Sequence, residues 1–507
     1  MARLKLTHLP GSLTKSTNDA DRSQFVVRFG VVLIAIAALV AYRVGGFIRY
    51  PFADGDLFWQ RWLGDFILTN HFIPRALGNE VFSAVGAPWI PHEWIYSIGV
   101  ALAFEHDALW VLTTITGVLI FASLALLAWR SMKAGTSSWA VVIAIIFAAI
   151  SIAPNFGVRA EVFAWFFFAI ALVILDCDGP LLWALVPLTI LWANFHGSAT
   201  LVVPTMWLNA LVSVLQKRKD TRTRLMLCAA LPIALLCTPF GVGLPRYALS
   251  VLHSPVQAYI AGWKPLPFQN IYVRFGYVPL TALLLLGAFR RVWAQRPFDF
   301  ALASIVGLVS LFGARYMALF GLAAILPVSL ALRGVGPAQQ RKGANTFWLA
   351  IEGIAVVVVV SVFGSYSFIA GTPGVHWPGP FNSATLLEKQ PGEHRLFCAE
   401  YSWCAVALGR GNTRVFLDGR ADPFPQKIWQ AYGDITHARS GWQQLLDDYG
   451  VNAIIAWRGG YFESQVQTLP NWSETSDTGD PCCVLFDRIG SSKKKVIWQF
   501  GTEARPR

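Results

Sequence analysis

Long apolar runs recur along most of this chain, and they limit its fold more than any other feature. Between residues 29 and 370, the runs approach the length of about 20 residues that crosses the hydrocarbon core of a bilayer. Because no water is available there to bond the backbone, the runs must form helices. A β-barrel would instead show short segments of alternating polarity. The sequence therefore predicts an α-helical polytopic membrane protein.

Hydropathy and helix-breaking residues predict about eleven spanning helices. The predicted spans cover residues 29–48, 107–129, 138–153, 160–177, 181–194, 198–215, 225–238, 275–290, 298–313, 316–332 and 347–370. The run at residues 181–194 is short and favours a tilted, broken or re-entrant helix. Residues 1–28 are too long and polar to begin a signal peptide, and no cleavage site follows, so we expect the first run to remain as an anchor.

Positively charged residues mark alternate loops, as expected for loops that stay in the cytoplasm. The net charge is +12, but nucleic-acid binding would gather this charge on one surface, whereas here it falls in separate short clusters. We therefore predict no nucleic-acid partner and a cytoplasmic N-terminus in a bacterial inner (plasma) membrane. The clusters are Arg130 and Lys133; Lys217, Arg218, Lys219, Arg222 and Arg224; Arg290, Arg291 and Arg296; and Arg333, Arg341 and Lys342.

The composition becomes polar after residue 370, where a Gly- and Pro-rich linker (residues 371–393) leads into a segment of residues 394–507. Eleven spans place this segment outside, in the periplasm. It is predicted to be a small α/β domain with strands at residues 414–417, 451–456 and 483–486 and helices at residues 426–435 and 441–449.

Four cysteines lie in this outer segment, in an oxidising compartment where one or two disulfides form. Cys398 and Cys404 are close in sequence, and we predict a disulfide that involves one of them. The pairing itself is not determined by the sequence. Zinc is a weaker alternative because Cys482 and Cys483 are adjacent, which is not a normal ligand spacing.

Two acidic strings lie in the predicted outer loop of residues 50–106. Asp54 and Asp56 follow the first span, and His92-Glu93 precedes the next apolar stretch. A carboxylate of Asp56, Asp54 or Glu93 at the membrane edge can deprotonate an attacking hydroxyl. Asp54 and Asp56 can also bind Mg²⁺ or Mn²⁺, which would neutralise a leaving phosphate. Alternatively, the first string is a turn in which Asp56 caps a helix over residues 57–69.

Other polar residues are predicted at the same side of the membrane, where charge is costly and usually functional. They are Arg159, Glu161, Asn194, His196 and Arg315. The guanidinium of Arg315 would hold the phosphate of a lipid carrier bidentately. Alternatively, Arg159 and Glu161 pair with each other or reach the interface, and His196 only packs. Trp59 and its neighbouring tryptophans either contact a sugar or lipid ligand or form an aromatic belt.

The order of these features resembles the GT-C superfamily of polyprenyl-phosphate-sugar-dependent glycosyltransferases, and in particular a bacterial GT-C-like group. The resemblance covers most of the chain in layout. The strings that carry it are Asp54-Gly55-Asp56-Leu57-Phe58-Trp59, Pro91-His92-Glu93-Trp94, Leu191-Trp192-Ala193-Asn194-Phe195-His196-Gly197 and Phe416-Leu417-Asp418-Gly419-Arg420-Ala421-Asp422.

This resemblance implies an inverting sugar transfer at the outer face of the membrane, with Asp56 or Asp54 in the place of the family's loop-one acid. The donor would be a polyprenyl-phosphate-linked sugar, and the acceptor an envelope glycan, a lipid or a protein. Metal use varies across the superfamily. The chain lacks the Glu-Asp pair of protein mannosyltransferases and the Trp-Trp-Asp signature of oligosaccharyltransferases, which leaves the donor and the acceptor open.

We predict a hexosyl or pentosyl transferase in which Asp56 deprotonates the acceptor or positions a metal. Arg315 and Arg159 would bind the carrier phosphate, and His92, Glu161, Asn194, His196 and Trp59 would line the substrate site. No nucleophile-elbow serine, zinc-protease helix or ATPase loop occurs in the sequence. The first alternative is a transporter or flippase for a lipid-linked glycan, which inverted repeats would favour. The second is a polymerase, ligase or non-catalytic subunit of envelope polysaccharide assembly.

Overall fold

The computed structural model describes residues 19–49, 55–252, 254–333, 379–475 and 478–489, with side chains of the first helix described for residues 25–41. Asp54 and the span predicted at residues 347–370 lie outside these residues. The chain divides into two compact units. The first unit comprises Met1–Arg75 and Ile90–Trp377, and the second comprises Ala76–Trp89 and Pro378–Arg507.

The described part of the first unit is helical. Short 3-10 segments at Gly179–Ala184, Gly197–Leu201 and Ala314–Tyr316 and a π-helical turn at Val273–Tyr277 each lead into a following α-helix. The α-helices are α1 Asp19–Arg49, α2 Asp56–Asn70, α3 Trp94–Glu105, α4 Leu109–Lys133, α5 Ser138–Ile152, α6 Glu161–Leu175, α7 Leu185–Phe195, α8 Val202–Leu215, α9 Thr221–Ala234, α10 Gly243–Leu252, α11 Val278–Phe289, α12 Val292–Gln295, α13 Pro297–Ser310 and α14 Met317–Ala331.

Apolar helices identify a multi-pass membrane protein. Among the described residues, four stretches are long and apolar enough to cross a membrane: Leu109–Lys133, Ser138–Asn155, Gly197–Leu215 and Ala314–Ala331. Shorter apolar helices of 10–17 residues include Glu161–Leu175 and Pro297–Ser310. Each span predicted before residue 333 coincides with a helix, and the weak span at residues 181–194 is broken into a 3-10 segment and α7. The number eleven stays a prediction.

Small residues allow the helices of the first unit to approach each other closely. A Cβ atom on Gly321 of α14 would lie 3.1 Å from the carbonyl oxygen of Ala148 on α5. On α2, a Cβ at Gly64 would collide with the carbonyl oxygen of Ser97 on α3. Glycine is therefore required where α2 crosses α3. This crossing determines which α2 side chains can reach the start of α3.

Several arginines that mark the predicted cytoplasmic loops also form buried ion pairs. Nε of Arg130 donates to Asp176 at 2.7 Å, and Nη2 donates to Asp299 at 2.6 Å. The side chain of Arg224 is fully buried and pairs with Asp220 at 2.7 Å. Since a buried charge requires a partner, these arginines join the helix ends as well as contributing to the charge pattern.

The second unit is an α/β domain. Its five-stranded sheet has the strand order β2-β1-β3-β5-β4. Strands β1, β2 and β3 are parallel, and β5 is antiparallel to both β3 and β4. The strands are β1 His394–Cys398, β2 Thr413–Val415, β3 Ala453–Trp457, β4 Trp472–Glu474 and β5 Cys483–Arg488. The helices are α15 Phe381–Lys389, α16 Cys404–Ala407, α17 Gln426–Thr436, α18 Trp442–Asp448 and α19 Tyr461–Gln467.

A segment of the predicted outer loop completes this domain. Residues 76–89 belong to the second unit, and Val81 forms a parallel bridge with Val415 of β2. The side chain of Arg420 is fully buried, pairs with Asp418 at 2.6 Å and with Glu80 at 3.2 Å, and lies over the ring of Trp89. Residues 76–89 are therefore joined to the segment that follows β1 by backbone pairing and by a buried ionic cluster.

The predicted strands and helices of the tail are present. The strands expected at residues 414–417, 451–456 and 483–486 correspond to β2, β3 and β5, and the two expected helices correspond to α17 and α18. The sequence missed β1 and β4, and α15 lies in the segment read as a linker. A disulfide joins Cys398 to Cys404, which confirms the predicted bond, while Cys482 and Cys483 are free.

Candidate active site

Segments that are distant in sequence bring a carboxylate and two imidazoles together in the first unit. Glu93 is the residue that precedes α3, and its carboxylate occupies the centre of this cluster. Nε2 of Gln60, from α2, donates a hydrogen bond to Glu93 Oε2 at 2.6 Å. Nε2 of His196, which follows α7, lies 3.3 Å from Glu93 Oε1. The two oxygens of one mostly buried carboxylate thus accept hydrogen bonds from two different segments of the chain.

The charge on Glu93 is stabilised by these contacts. Burial acts to raise the pKa of Glu93, but the hydrogen bond and charge of His196, with smaller contributions from His92 and Gln60, outweigh burial and lower the pKa to about 2. Opposite charge and donated hydrogen bonds favour the ionised carboxylate. Glu93 is therefore negatively charged at neutral pH.

His92 has the opposite electrostatic preference and stays neutral. Burial, assisted by the charges of His196 and Arg315, lowers the pKa of His92 to about 4 despite the neighbouring Glu93. Its Nδ1 accepts a hydrogen bond from the backbone N–H of Gly197 at 3.2 Å. The proton of the neutral ring therefore resides on Nε2, which lies 3.1 Å from the hydroxyl oxygen of Tyr247.

The backbone after α7 orients His196. The helix ends there in an extended conformation, with φ −162° and ψ 139°. Nδ1 of His196 accepts from the backbone N–H of Ser198 at 3.1 Å, so Nε2 carries the proton and points it at Glu93. A Cβ atom at Gly197 would lie 3.3 Å from the ring of His92. A larger residue at 197 would therefore crowd the ring of His92.

Asp56 begins α2 one helical turn before Gln60, on the same face of the helix. Its side chain is about one-third exposed, and Oδ2 lies 3.7 Å from Nη2 of Arg159. Nε1 of Trp59 donates to Asp56 Oδ1 at 3.2 Å. The N-cap of α2 is Gly55 and Asp56 is the first residue of the helix. The alternative that Asp56 is the cap is therefore wrong. An acidic side chain in the first turn still stabilises the helix dipole.

Arg159 and Glu161 do not pair with each other, contrary to one alternative from the sequence. Arg159 contacts Asp56 instead. Glu161 lies in the first turn of α6 and makes no ion pair within the described part of the chain. Asn194 accepts from Nε1 of Trp94 at 3.2 Å and donates to the carbonyl of Cys237 at 3.0 Å. Asn194 therefore connects three segments of the scaffold.

Arg315 lies in the 3-10 turn that precedes α14, with its guanidinium 4.1 Å from the ring centroid of Trp263. Its charge is one of the causes that lower the pKa of His92, which places it within electrostatic range of the cluster. Stacking on an indole leaves the edge of a guanidinium free to donate hydrogen bonds. Such an edge suits a phosphate group.

Gln60 is the main residue that sequence reasoning missed. Its side chain is 2% exposed, and among the described residues its Oε1 has no hydrogen-bond partner. The available signal for Gln60 was its position four residues after Asp56, which puts both side chains on one face of α2.

The described residues contain no group of three or more His, Cys, Asp or Glu side chains arranged to hold a metal ion. Of the two acids predicted as metal ligands, Asp56 is described and faces Arg159, while Asp54 lies outside the described residues. A neighbouring guanidinium opposes cation binding to a single carboxylate. Mg²⁺ or Mn²⁺ would therefore need Asp54 as a second ligand.

No protein-family model matches this chain, and no curated protein matches it. Solved structures do. The apo form of the oligosaccharyltransferase from Archaeoglobus fulgidus superposes with a TM-score of 0.60 at 10% identity, covering 85% of this chain and 69% of that one. The archaeal oligosaccharyltransferase AglB from the same organism, in complex with an inhibitory peptide and a dolichol-phosphate, gives a TM-score of 0.58 at 12% identity, covering 94% and 75%.

A third structure from this organism, tethered to an acceptor peptide that contains the NVT sequon, gives a TM-score of 0.55 at 12% identity, covering 85% of this chain and 69% of that one. A fourth structure, in complex with Zn and sulfate, gives a TM-score of 0.52 at 12% identity, covering 84% of this chain and 68% of that one. At this identity the likeness establishes the fold. The chain has a GT-C-like fold with a C-terminal α/β domain, as the sequence predicted.

Proposed function

We propose that this protein is a membrane glycosyltransferase that moves a sugar from a polyprenyl-phosphate carrier to an acceptor at the outer face of a bacterial inner membrane. The observation that carries this proposal is the position of Asp56. Asp56 begins α2, its partly exposed carboxylate contacts Arg159 and Trp59, and it lies one helical turn before the buried Gln60, which donates to Glu93. The likeness to archaeal oligosaccharyltransferases, one bound to dolichol-phosphate and one to an acceptor peptide, supports a lipid-linked donor.

In the proposed reaction, Asp56 accepts the proton of the acceptor nucleophile. The freed oxygen or nitrogen forms a bond to the anomeric carbon of the sugar, and the bond from that carbon to the phosphate oxygen breaks on the opposite face. The phosphate leaves on its lipid with the electron pair of that bond. Arg315, whose guanidinium stacks on Trp263, would bind the leaving phosphate and stabilise its growing charge.

The buried cluster has a different role in this proposal. A carboxylate with a pKa of about 2 is a weak base, and both oxygens of Glu93 already have partners. We therefore assign Glu93 to positioning. It holds Gln60 on α2 and His196 after α7, and His92 in turn faces Tyr247. Glu161, farther along the chain at the start of α6, has no assigned step and would line the substrate path.

A divalent metal would enter this scheme through Asp56 and Asp54. When bound, Mg²⁺ or Mn²⁺ supplies a positive charge that stabilises the leaving phosphate. The residues of this chain would then hold the acceptor near Asp56 and the lipid phosphate near Arg315. Titration of chelated protein with each metal, followed by the rate of sugar release, measures whether such a metal is used.

The decisive experiment uses the full chain in proteoliposomes with a panel of polyprenyl-phosphate sugars labelled in the sugar. A transferase releases carrier phosphate and moves the label to an acceptor fraction, and Asp56→Asn slows both on the order of 10² to 10⁴. A flippase would move intact donor across the bilayer without cleaving it. If the donor stays intact in every reaction while the label moves between leaflets, the proposed transferase function is wrong and the flippase function is supported.

A further inference from the structure

The second unit contains a cavity that the proposed transfer reaction does not use. Its volume is about 300 Å³, and its lining includes Ala399, Thr436, His437, Trp457, Tyr461 and Glu463. Ala399 follows β1, and Trp457 is the last residue of β3. In open α/β sheets, ligands bind in the crevice beyond the carboxyl ends of parallel strands. The cavity occupies that place in this domain, and its volume is at the lower end of the range for small-molecule sites.

Two aromatic side chains stand exposed at this cavity. The side chain of Trp457 is 40% exposed and that of Tyr461 is 63% exposed. Trp457 is held in place on its inner side by Trp403, with ring centroids 4.1 Å apart. In the described part of the second unit, the other large apolar side chains exposed to a similar degree are aliphatic, Val85 and Ile489. The exposed aromatic surface of this unit is thus concentrated at one cavity.

The polar groups of the lining are oriented by the backbone and present acceptors. Nδ1 of His437 lies 2.8 Å from the carbonyl oxygen of Gly433, to which it donates, so Nε2 of the neutral ring is an acceptor. The carboxylate of Glu463 accepts from the backbone N–H of Gly459 through Oε2, which leaves Oε1 to accept from a ligand. These acceptors complement hydroxyl groups, which donate hydrogen bonds.

The lining disfavours anions, and it does not form an aromatic cage for an organic cation. Among the described residues that line the cavity, none is Lys or Arg, so a phosphate or carboxylate would lack a cationic partner. An aromatic cage for an organic cation needs several ring faces around one point. Phe462, although it lines the cavity, is 6% exposed and packs against Phe397 and Trp442, so it does not supply such a face.

We propose that the second unit carries a binding site for a neutral sugar ring, at the carboxyl ends of β1 and β3 beside Trp457 and Tyr461. The apolar face of the sugar would stack on Trp457, and its hydroxyl groups would donate to Glu463 and His437. This site is separate from the Asp56 cluster in the first unit and goes beyond the proposed transfer reaction. The site binds sugar whether or not the protein is a transferase.

The test is saturation-transfer NMR on the full chain in nanodiscs. The probes are the methyl glycosides of glucose, galactose, mannose and N-acetylglucosamine, with choline as a cation and glucose 6-phosphate as an anion. The variants are Tyr461→Ala and Trp457→Ala, with Ile489→Ala as the matched control because Ile489 is exposed in the same unit, at 58%, and does not line the cavity. Tyr461 is mostly exposed, so its removal tests binding without disturbing the Trp403 contact.

We expect at least one methyl glycoside to receive saturation from the native protein and from Ile489→Ala. Tyr461→Ala and Trp457→Ala should weaken its binding about tenfold, the size expected for losing one aromatic contact. The proposal is overturned if no glycoside binds, if choline or glucose 6-phosphate binds in their place, or if glycoside binding is unchanged in both aromatic variants.

Discussion

Nη2 of Arg159 lies 3.7 Å from Oδ2 of Asp56, although Asp56 begins α2 and Arg159 lies in the loop that precedes α6. The arginine keeps the carboxylate oriented while about one-third of the Asp56 side chain remains exposed to a ligand. A charged, oriented and accessible carboxylate is what a general base or a metal ligand requires. The first prediction follows from this contact.

Asp56→Asn should lower the rate of sugar transfer on the order of 10² to 10⁴, because the amide cannot accept the proton. The fold should survive, since Asn keeps the size of the side chain and its Oδ1 can still accept from Trp59. The measurement is sugar release from a polyprenyl-phosphate donor, together with the thermal unfolding midpoint.

The matched control is Asp65→Asn. Asp65 lies on the same helix, is 52% exposed and pairs only with Arg61 among the described ion pairs, so its loss should leave the rate within about twofold of native. Asp54→Asn run in parallel distinguishes a single base, with one severe phenotype, from a shared metal, with two. Normal turnover in both Asp54→Asn and Asp56→Asn would remove the catalytic assignment from this string.

Acid should destabilise the first unit through His92. The unfolded chain protonates this histidine near its ordinary pKa of 6.5, whereas the folded protein does not until about pH 4. Since the unfolded state binds more protons between these values, stability falls as the pH drops from 6.5 to 4, on the order of 1 to 3 kcal/mol. Glu93, with its pKa lowered from 4.5 to about 2, extends the loss to lower pH.

His92→Gln should flatten the pH dependence of the unfolding midpoint between pH 6.5 and 4. The control is His106→Gln, because His106 is exposed at the end of α3. Thermal unfolding measured over this pH range gives the slope of the unfolding midpoint against pH for each variant. An equal slope in native protein and in His92→Gln would show that His92 does not carry the acid sensitivity.

Arg315→Lys should raise KM for the lipid-linked donor about tenfold, because an ammonium cannot bind a phosphate through two parallel hydrogen bonds or stack on Trp263 in the same way. The control is Arg274→Lys, since Arg274 is exposed and its Nε donates to the carbonyl oxygen of Phe268 at 2.9 Å. Initial rates against donor concentration separate KM from kcat. An unchanged KM in Arg315→Lys would exclude this residue as the phosphate contact.

Removing the bond between Cys398 and Cys404 should destabilise the second unit by about 2 kcal/mol, the chain-entropy value for a short loop. The two cysteines are separated by six positions. Cys398→Ser and Cys404→Ser should each behave like the reduced protein, whereas Cys482→Ser should not, because Cys482 is a free thiol. Alkylation with and without reductant, followed by mass spectrometry, shows which cysteines are disulfide-bonded.

The predicted orientation is tested with single cysteines in a cysteine-free background. A label at position 217 or 341 should be reached only from the cytoplasmic side, and a label at position 463 only from outside, because alternate loops carry the positive charge. The opposite accessibility would invert the topology and place Asp56 on the wrong side for the proposed donor.

Apolar length was enough to predict most helices of the first unit, because the signal is local. The span predicted at residues 138–153 is α5, Ser138–Ile152. Contacts between helices were not predictable in this way. The bond from Gln60 to Glu93 depends on the crossing of α2 and α3 at Gly64, and that crossing is set by packing rather than by the composition of either helix.

The charge pattern also did not predict contacts between segments. Arg130 was interpreted as a topology signal, yet its side chain is buried between Asp176 and Asp299. A sequence shows the sign of a residue's charge, but it does not show whether the side chain is buried and therefore needs a charged partner. The strand β1, His394–Cys398, was missed because its charged residues His394 and Arg395 obscure a mostly buried strand.

The insertion of residues 76–89 into the second unit has a consequence for biosynthesis. Ser83 donates to the carbonyl oxygen of Phe416, 333 positions later in the chain. At a synthesis rate of about 5–20 residues per second, residues 76–89 are made roughly 20 to 70 seconds before the segment with which they pair. Val81 is fully buried in the finished domain and has no sheet to join during that interval. The time taken to translate the intervening helices therefore sets the earliest moment at which the outer domain can close.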